Sequence, residues 1–192
     1  MFENKKQKFA GHSHEVYFMV YYDDVKFETP VSTLHVGPSL VPFTNNNPGY
    51  RLTTIDSNTF EILDYDMYYV DLPASNLKNE LVIDKLFSAK STFGLPDLTP
   101  QSWHDLAIRF QHDDPLFQKY YQFTNRLAKN QTCDNICKRK ALCKIHTSRA
   151  DDPEMCDRFV PNPLPNGITE NQPSFLTKLM VTIVMALNSV FF

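Results

Sequence analysis

Glycine is scarce in this chain, with five among 192 residues. No cluster of them could cradle a phosphate, and none flanks a serine as a nucleophile elbow does. P-loop nucleotide chemistry and elbow-type serine hydrolysis are thereby set aside. Basic residues are not in excess either: 19 Lys and Arg face 22 Asp and Glu, for a net charge of -3 and a pI near 6.0. That balance carries no electrostatic footprint for nucleic acid, so none is expected as a partner. The cluster Lys138-Arg139-Lys140 with Lys144 is offset by Asp151, Asp152, Glu154 and Asp157, and reads as a solvated face. No internal repeat occurs. The first residues, Met1-Phe2-Glu3-Asn4-Lys5-Lys6, are charged and contain no apolar core of a signal peptide.

What is abundant is apolar and aromatic. The chain is 42% hydrophobic, with 15 Phe and 9 Tyr. This is enough for one domain with a sizeable core, or one with a small subdomain, and rules out a disordered chain. Residues 8–72 read as short β-prone runs: Phe9, Val16–Tyr22, Val31–Val36, Tyr50–Asp56, Phe60–Asp64 and Tyr68–Leu72. Turn residues such as Asn45-Asn46-Asn47-Pro48-Gly49 separate them. The near-continuous apolar run Val16–Tyr22 predicts burial on both faces. From Pro73 the period becomes helical. Leu77, Leu81, Ile83, Leu86, Phe87 and Phe93 suit one amphipathic helix capped by Ser75. A second begins at Thr99-Pro100 and carries Trp103, Leu106, Ala107 and Phe110. A third begins at Asp113 or Asp114 with Pro115. Nearly all the aromatics are expected to be core.

Chemistry concentrates in two places. Gly11-His12-Ser13-His14 sits between β-prone runs, and residues two apart on an extended chain face one side. Imidazole is a common zinc ligand, and water-activating sites often hold two metal ions. A catalytic zinc needs three protein ligands, and a pair needs about twice that. Only eleven residues precede His12, and they contain no Asp-x-His or Gly-Asn-His. His35, His104, His112 and His146 are dispersed and lack ligand spacing, so each is expected to be a surface or structural histidine. The second place is the cysteines. Cys133, Cys137, Cys143 and Cys156 lie within 24 residues at intervals of three, five and twelve, with no Cys-x2-Cys pair. Disulfides fit better than zinc, with three pairings open, and imply an oxidising compartment. The sequon Asn130-Gln131-Thr132 agrees.

Beyond these, residues 161–174 form a Pro- and Asn-rich linker. Residues 175–192 are an apolar tail that is short for a membrane span. A polar spacer followed by such a tail has the pattern of a GPI-attachment signal, with a membrane anchor as the alternative.

Several motifs together resemble one family. The segments Phe9-Ala10-Gly11-His12-Ser13-His14, Asn47-Pro48-Gly49-Tyr50-Arg51, Phe93-Gly94-Leu95-Pro96 and Trp103-His104-Asp105-Leu106 occur in order. The cysteine block with Ser148-Arg149-Ala150-Asp151 follows them. From about residue 2 to residue 159 this is similar to the C-terminal portion of acid sphingomyelinase, a secreted or lysosomal zinc metallophosphoesterase. The resemblance implies an α+β fold: the terminal strands of a metallophosphoesterase β-sandwich over residues 1–72, then a small disulfide-stapled helical subdomain over 73–160. It implies that His12 binds one zinc of a pair and His14 the other. It also implies Cys133–Cys137 and Cys143–Cys156 disulfides, a glycan on Asn130, and Phe43 as an apolar lip near the substrate groove. The family cleaves sphingomyelin into ceramide and phosphocholine, which implies a phosphodiester lipid and a membrane surface as partners. The localisation implied is secreted, lysosomal or extracellular, or membrane-attached through the tail.

Most of the family's catalytic domain has no counterpart here, nor have the remaining zinc ligands and the leaving-group acid. No catalytic residue is assigned. The expectation is a C-terminal fragment, inactive and poorly soluble alone, with a metal set left incomplete and a strand edge left unpaired. Two alternatives stand beside it: a fragment of a sphingomyelinase-like phosphodiesterase acting on nucleotides or other phosphoesters, and a non-catalytic membrane-tethered module.

Overall fold

A computed structural model describes residues 6–23, 26–147 and 153–162. The chain builds two three-stranded sheets and then a set of helices that packs on them. In the first sheet β3 (Pro30–Val36) is central. β1 (Lys6–Ala10) lies parallel on one side of it and β2 (Tyr17–Tyr22) antiparallel on the other. The second sheet is antiparallel throughout, in the order β4 (Gly49–Ile55), β5 (Ile62–Val70), β6 (Ile83–Ser88). Two short helices, α1 (Leu72–Lys78) and α2 (Ala89–Phe93), flank β6. Four more follow: α3 (Pro100–His112), α4 (Asp114–Thr124), α5 (Asn135–His146) and α6 (Pro153–Phe159). The α+β class expected from the sequence is the class formed.

The helix starts follow their caps. The Thr99 hydroxyl accepts from the Ser102 amide at 3.4 Å, with Pro100 in the first turn of α3. The Asp113 carboxylate accepts from Leu116 at 3.0 Å and opens α4. Each cap satisfies an amide that the first helical turn leaves without a partner.

Three expectations are overturned. The single helix capped at Ser75 does not form. Asp71 caps α1, accepting from the Ala74 amide at 2.9 Å, and Asn79 ends it in a left-handed conformation. Leu77 and Leu81, expected on its apolar stripe, are exposed. Residues 83–88 pair along β5 instead, with Phe87 opposite Met67. That register buries both side chains, whereas a helix there would have buried little. The runs 60–64 and 68–72 are likewise parts of one strand, β5. Finally, β2 is not buried on both faces. Val16, Phe18, Val20 and Tyr22 point inward, while Tyr17 and Tyr21 are half-buried under lysine ammonium groups. Lys144 lies 3.6 Å from the Tyr17 ring centroid, and Lys8 lies 4.4 Å from that of Tyr21. The run reads as continuously apolar because tyrosine serves on the wetter face.

The core is aromatic, and α3 runs through it. Trp103 is 1% exposed and packs on Phe18 at 4.6 Å and His35 at 4.9 Å between centroids. Phe110 stacks on Tyr120 at 4.8 Å, and Phe87 on Phe123 at 5.3 Å. The basic cluster of α5 is not simply a solvated face either. Lys138 is 2% exposed and reaches Asp114 at 3.0 Å, across the face of Phe117. Arg139 pairs with Asp157, and Lys144 with Glu15 at 3.5 Å. Two disulfides tie the C-terminal helices, Cys133–Cys137 and Cys143–Cys156, with Cα separations of 5.3 and 4.8 Å. The Gln118 amide donates to the Cys133 carbonyl at 2.7 Å and accepts from its amide at 2.9 Å, fixing the first disulfide to α4.

β1 is different. Among the described residues it pairs on one side only, and Phe9 on it is exposed. Beside it opens a cleft of about 940 Å³, lined by Phe9, Ile55, Phe60 and Leu63 and rimmed by Lys90 and Asp97. His12, His14 and Phe43 do not line it. All but the first two residues of the linker expected over 161–174, the whole tail expected over 175–192, and the segment 148–152 lie outside the described residues. Among the described residues no helix is long and apolar enough to cross a membrane.

Candidate functional site

The histidine pair lies where β1 leaves its sheet. The last rung of the β1–β3 ladder is Ala10 opposite Val36, and the Gly37 amide then donates to the Ala10 carbonyl at 2.8 Å. Beyond that point Gly11 is in open space and the chain turns away. His12 and His14 both take left-handed backbone conformations, with φ of 79° and 60°. The two imidazoles are therefore carried by a looped segment and not by the extended strand that the spacing suggested. Left-handed non-glycine residues persist only where the surroundings determine them.

For His14 those surroundings are identifiable. Its carbonyl accepts two hydrogen bonds, from Asn46 Nδ2 at 3.1 Å and Arg126 Nη2 at 3.0 Å. Two residues later the Val16 amide donates to the Thr124 carbonyl at 2.9 Å. The loop is thus fastened at both points to the C-terminal end of α4 and the stretch after it. The His14 ring lies edge-on to Phe43, with centroids 5.2 Å apart. Its Nδ1 is buried and meets no hydrogen-bond partner among the described residues. His12 is exposed. Phe43 is 64% exposed and stands on a single turn, Phe43–Asn45, in which Thr44 and Asn45 are also left-handed. Leu40 and Val41, just before it in the chain, are exposed too.

Arg126 joins this loop to the helices. It is 0% exposed, and its Nε donates to the Asn47 carbonyl while Asn47 Nδ2 donates back to the Arg126 carbonyl at 2.9 Å. A methyl group added at Gly49 would lie 2.6 Å from Arg126 Cδ and 2.7 Å from the Tyr68 carbonyl, so only glycine fits there. The motif Asn47-Pro48-Gly49-Tyr50-Arg51 now has a physical reason in its first half: it wraps a buried guanidinium. Burial pulls that guanidinium down to about 10, against the opposing influence of Glu15. It remains a cation at neutral pH. The second half of the motif places Arg51 over the Tyr65 ring at 4.5 Å, donating to the Val36 carbonyl at 3.3 Å.

Two of the dispersed histidines are brought together elsewhere. The Tyr22 hydroxyl lies 2.8 Å from His104 Nδ1 and 2.6 Å from His146 Nδ1, under the Phe159 ring. Burial pushes the Tyr22 phenol up, and holds the His146 imidazole down at about 3, helped by His104. His35 is buried between the sheets and depressed to about 3, by burial first and then by Arg51. Both buried rings are neutral packing elements.

The residues can be tested against the zinc pair that the resemblance implies. The buried, unpartnered Nδ1 of His14 is a free nitrogen donor, and the exposed His12 offers a second imidazole. Among the described residues no group of three His, Cys, Asp or Glu side chains gathers at one place. The loop therefore fits one corner of such a centre and not a complete one. The four cysteines are all engaged in disulfides, and Asn130 is exposed between α4 and α5.

The family of the acid sphingomyelin phosphodiesterase C-terminal region matches residues 29–154, and the chain belongs to that family. Its relatives include bovine sphingomyelin phosphodiesterase, 32% identical over 161 residues, which cover 81% of this chain and 26% of the relative. Sphingomyelin phosphodiesterase 1 of Caenorhabditis elegans is 32% identical over 79% of this chain and 27% of its own length. Human cyclic GMP-AMP phosphodiesterase is 35% identical over 72% of this chain and 32% of its own. The chain spans about a quarter of the length of the sphingomyelin phosphodiesterases it matches.

Arg126 and Asn46 were not legible as site residues. They lie 112 and 32 positions from His14, and neither is of a ligand type. The signal that could have found Arg126 was Asn47-x-Gly49, whose glycine must be excused by something large beside it.

Proposed function

We propose that this chain supplies the C-terminal part of a phosphodiesterase that hydrolyses sphingomyelin to ceramide and phosphocholine. The observation that carries this is the His12–His14 loop, fastened to the helices through Arg126 and bordered by exposed Phe43. In this reading His12 is a donor to one zinc and His14 to the other. When bound, such a pair activates a water for in-line attack on phosphorus and offsets charge on the phosphate oxygens. What the chain's own residues do is more specific. The clamp on the His14 carbonyl fixes the loop, and the edge of Phe43 limits the rotation of the His14 ring. Leu40, Val41 and Phe43 give the loop an apolar border suited to a lipid substrate presented at a membrane surface. The same reading places the chain in an oxidising compartment, secreted or lysosomal, with a glycan on Asn130 and the tail as an attachment signal. The paired cysteines and the exposed sequon support it.

Two imidazoles are too few for a zinc pair, so the 192-residue chain by itself is inactive in this reading. The test is to fuse the catalytic part of bovine sphingomyelin phosphodiesterase ahead of β1 and follow hydrolysis. The isolated chain is expected to release no phosphocholine, and the fusion to release it until His12 or His14 is changed to alanine. Chelator-sensitive turnover by the isolated chain, abolished in His12→Ala, would overturn the inactive reading. A fusion that folds yet is indifferent to both histidines would overturn their assignment. The 35% identity to a cyclic GMP-AMP phosphodiesterase favours one second reading, hydrolysis of a nucleotide phosphodiester. Offering the fusion a cyclic dinucleotide beside sphingomyelin discriminates the two.

A further inference from the structure

We infer that Arg126 is a positioning residue for the zinc-binding histidine loop, acting with Asn46 through the backbone carbonyl of His14. The inference rests on the zinc reading just given and adds residues that are not ligands. Three observations carry it.

The first is the bonding of Arg126. Its guanidinium is removed from water, yet it donates to the carbonyls of His14 and Asn47 and forms none of the salt bridges found among the described residues. A buried cation without a hydrogen-bonded carboxylate is costly, and here backbone carbonyls meet its Nε and Nη2 while Nη1 is buried without a partner. Replacing it by an apolar side chain of like volume would relieve that cost, so its place in the fold is not explained by stability alone.

The second is the conformation of the chain at both ends of the bond. His14 is left-handed at φ 60°, and Arg126 and Leu127 are left-handed at 55° and 60°. Such residues persist only where neighbours over-determine them. A two-donor grip on one carbonyl does this at His14, because it fixes the plane of the peptide that follows the ring.

The third is the fit around the clamp. Asn47 bonds Arg126 at both its ends, and Gly49 leaves no room for a Cβ beside the Arg126 side chain. Groups that orient a metal ligand from behind often matter nearly as much as the ligand, with changes to them costing roughly 10- to 100-fold in affinity. Here the orientation is imposed on the ligand's backbone.

Zinc titration, by calorimetry, of the fusion with the bovine catalytic part tests this, alongside thermal melts and, on the 192-residue chain, NMR of the histidine rings without metal. The wild-type fusion is expected to bind zinc, and His12→Ala with His14→Ala to weaken that binding most. Arg126→Met is expected to weaken it by about ten-fold or more. Arg126→Lys, which keeps a donor but not the fork, is expected to fall between. Asn46→Ala removes the second donor while leaving every bond between Arg126 and Asn47, and is expected to weaken zinc by a smaller factor and move the His14 ring resonances. If Arg126→Met does not fold, Asn46→Ala decides. Zinc affinity unchanged in both variants, with only the melting temperature lowered, would make the clamp structural and overturn the inference. Zinc binding by the fusion that is unchanged on loss of both histidines would instead overturn the zinc reading. The metal-free ring resonances then still report whether the clamp sets the His14 ring.

Discussion

The helical block and the histidine loop differ in what completes them. Around α3 the large rings pack on one another: Trp103 meets Phe18, His35 and Tyr65, and the disulfides tie α5 to the segments on either side of it, although Trp103 Nε1 and His146 Nε2 are buried without a hydrogen-bond partner. At the loop the backbone is gripped at His14 and Val16 while the side chains are not. His14 Nδ1 is buried without a partner, His12 is exposed, and the β1 strand leading there has one edge unpaired among the described residues. A folded scaffold presenting unmatched donors is what a site looks like when its other members come from elsewhere. The lesson is that order and completeness separate: the loop is held in place without being finished.

The largest effects should come from the helical block. Trp103→Ala removes the largest fully buried side chain and should cost about 3–5 kcal/mol, read as a lower midpoint in denaturant unfolding. Cys143→Ser with Cys156→Ser should cost about 3 kcal/mol on the entropy of its closed loop. The shorter Cys133–Cys137 loop should cost nearer 2 kcal/mol on the same basis. A loss of the first kind also at the histidine loop, on His12→Ala, would break the contrast.

Acid distinguishes the regions next. His35 and His146 are both held near 3 in the fold, from an ordinary value of 6.5. In the unfolded chain they take up protons as pH falls through about 6.5, while the folded chain leaves them neutral down to about 3. The unfolded state therefore binds more protons in that window, and stability declines as pH falls through it. The expected slope is about 1.4 kcal/mol per pH unit for each buried ring, with none from these groups above neutrality. Urea midpoints measured from pH 7 to pH 4 check this, and His35→Gln should flatten the slope by about half. A midpoint independent of pH would show that neither ring is buried as described.

How much of this could be read beforehand follows from the range of each signal. The caps at Thr99 and Asp113, and the aromatic faces of α3 and α4, are local patterns, and they were legible. The helix expected over residues 75–93 was not formed, because apolar residues at helical spacing cannot reveal that β5 offers an open edge to residues 83–88. The His12–His14 loop was legible as a motif and its conformation was not. Left-handed backbone on histidine is set by Asn46 and Arg126, which reach it through the fold. Lys138 and Arg126 show the same limit for charge. A basic residue is read as solvated until an acid or a pair of carbonyls is known to face it inside the fold.

The smallest effect is the one that sharpens the comparison most. His12 is exposed, and its backbone sits at φ 79°, a conformation glycine adopts without cost. On stability alone glycine is the better residue there, offset by the extra freedom it gives the unfolded chain. His12→Gly should therefore leave stability within about 0.5 kcal/mol of wild type, where a core change of similar size would cost several times that. The same substitution should weaken zinc uptake by the fusion. A position where the fold gains nothing from histidine, and where the backbone is strained to keep it, is what the proposed zinc role of His12 requires. A clear loss of stability in His12→Gly would mean that the ring packs into the fold, and the loop would then belong with the helical block.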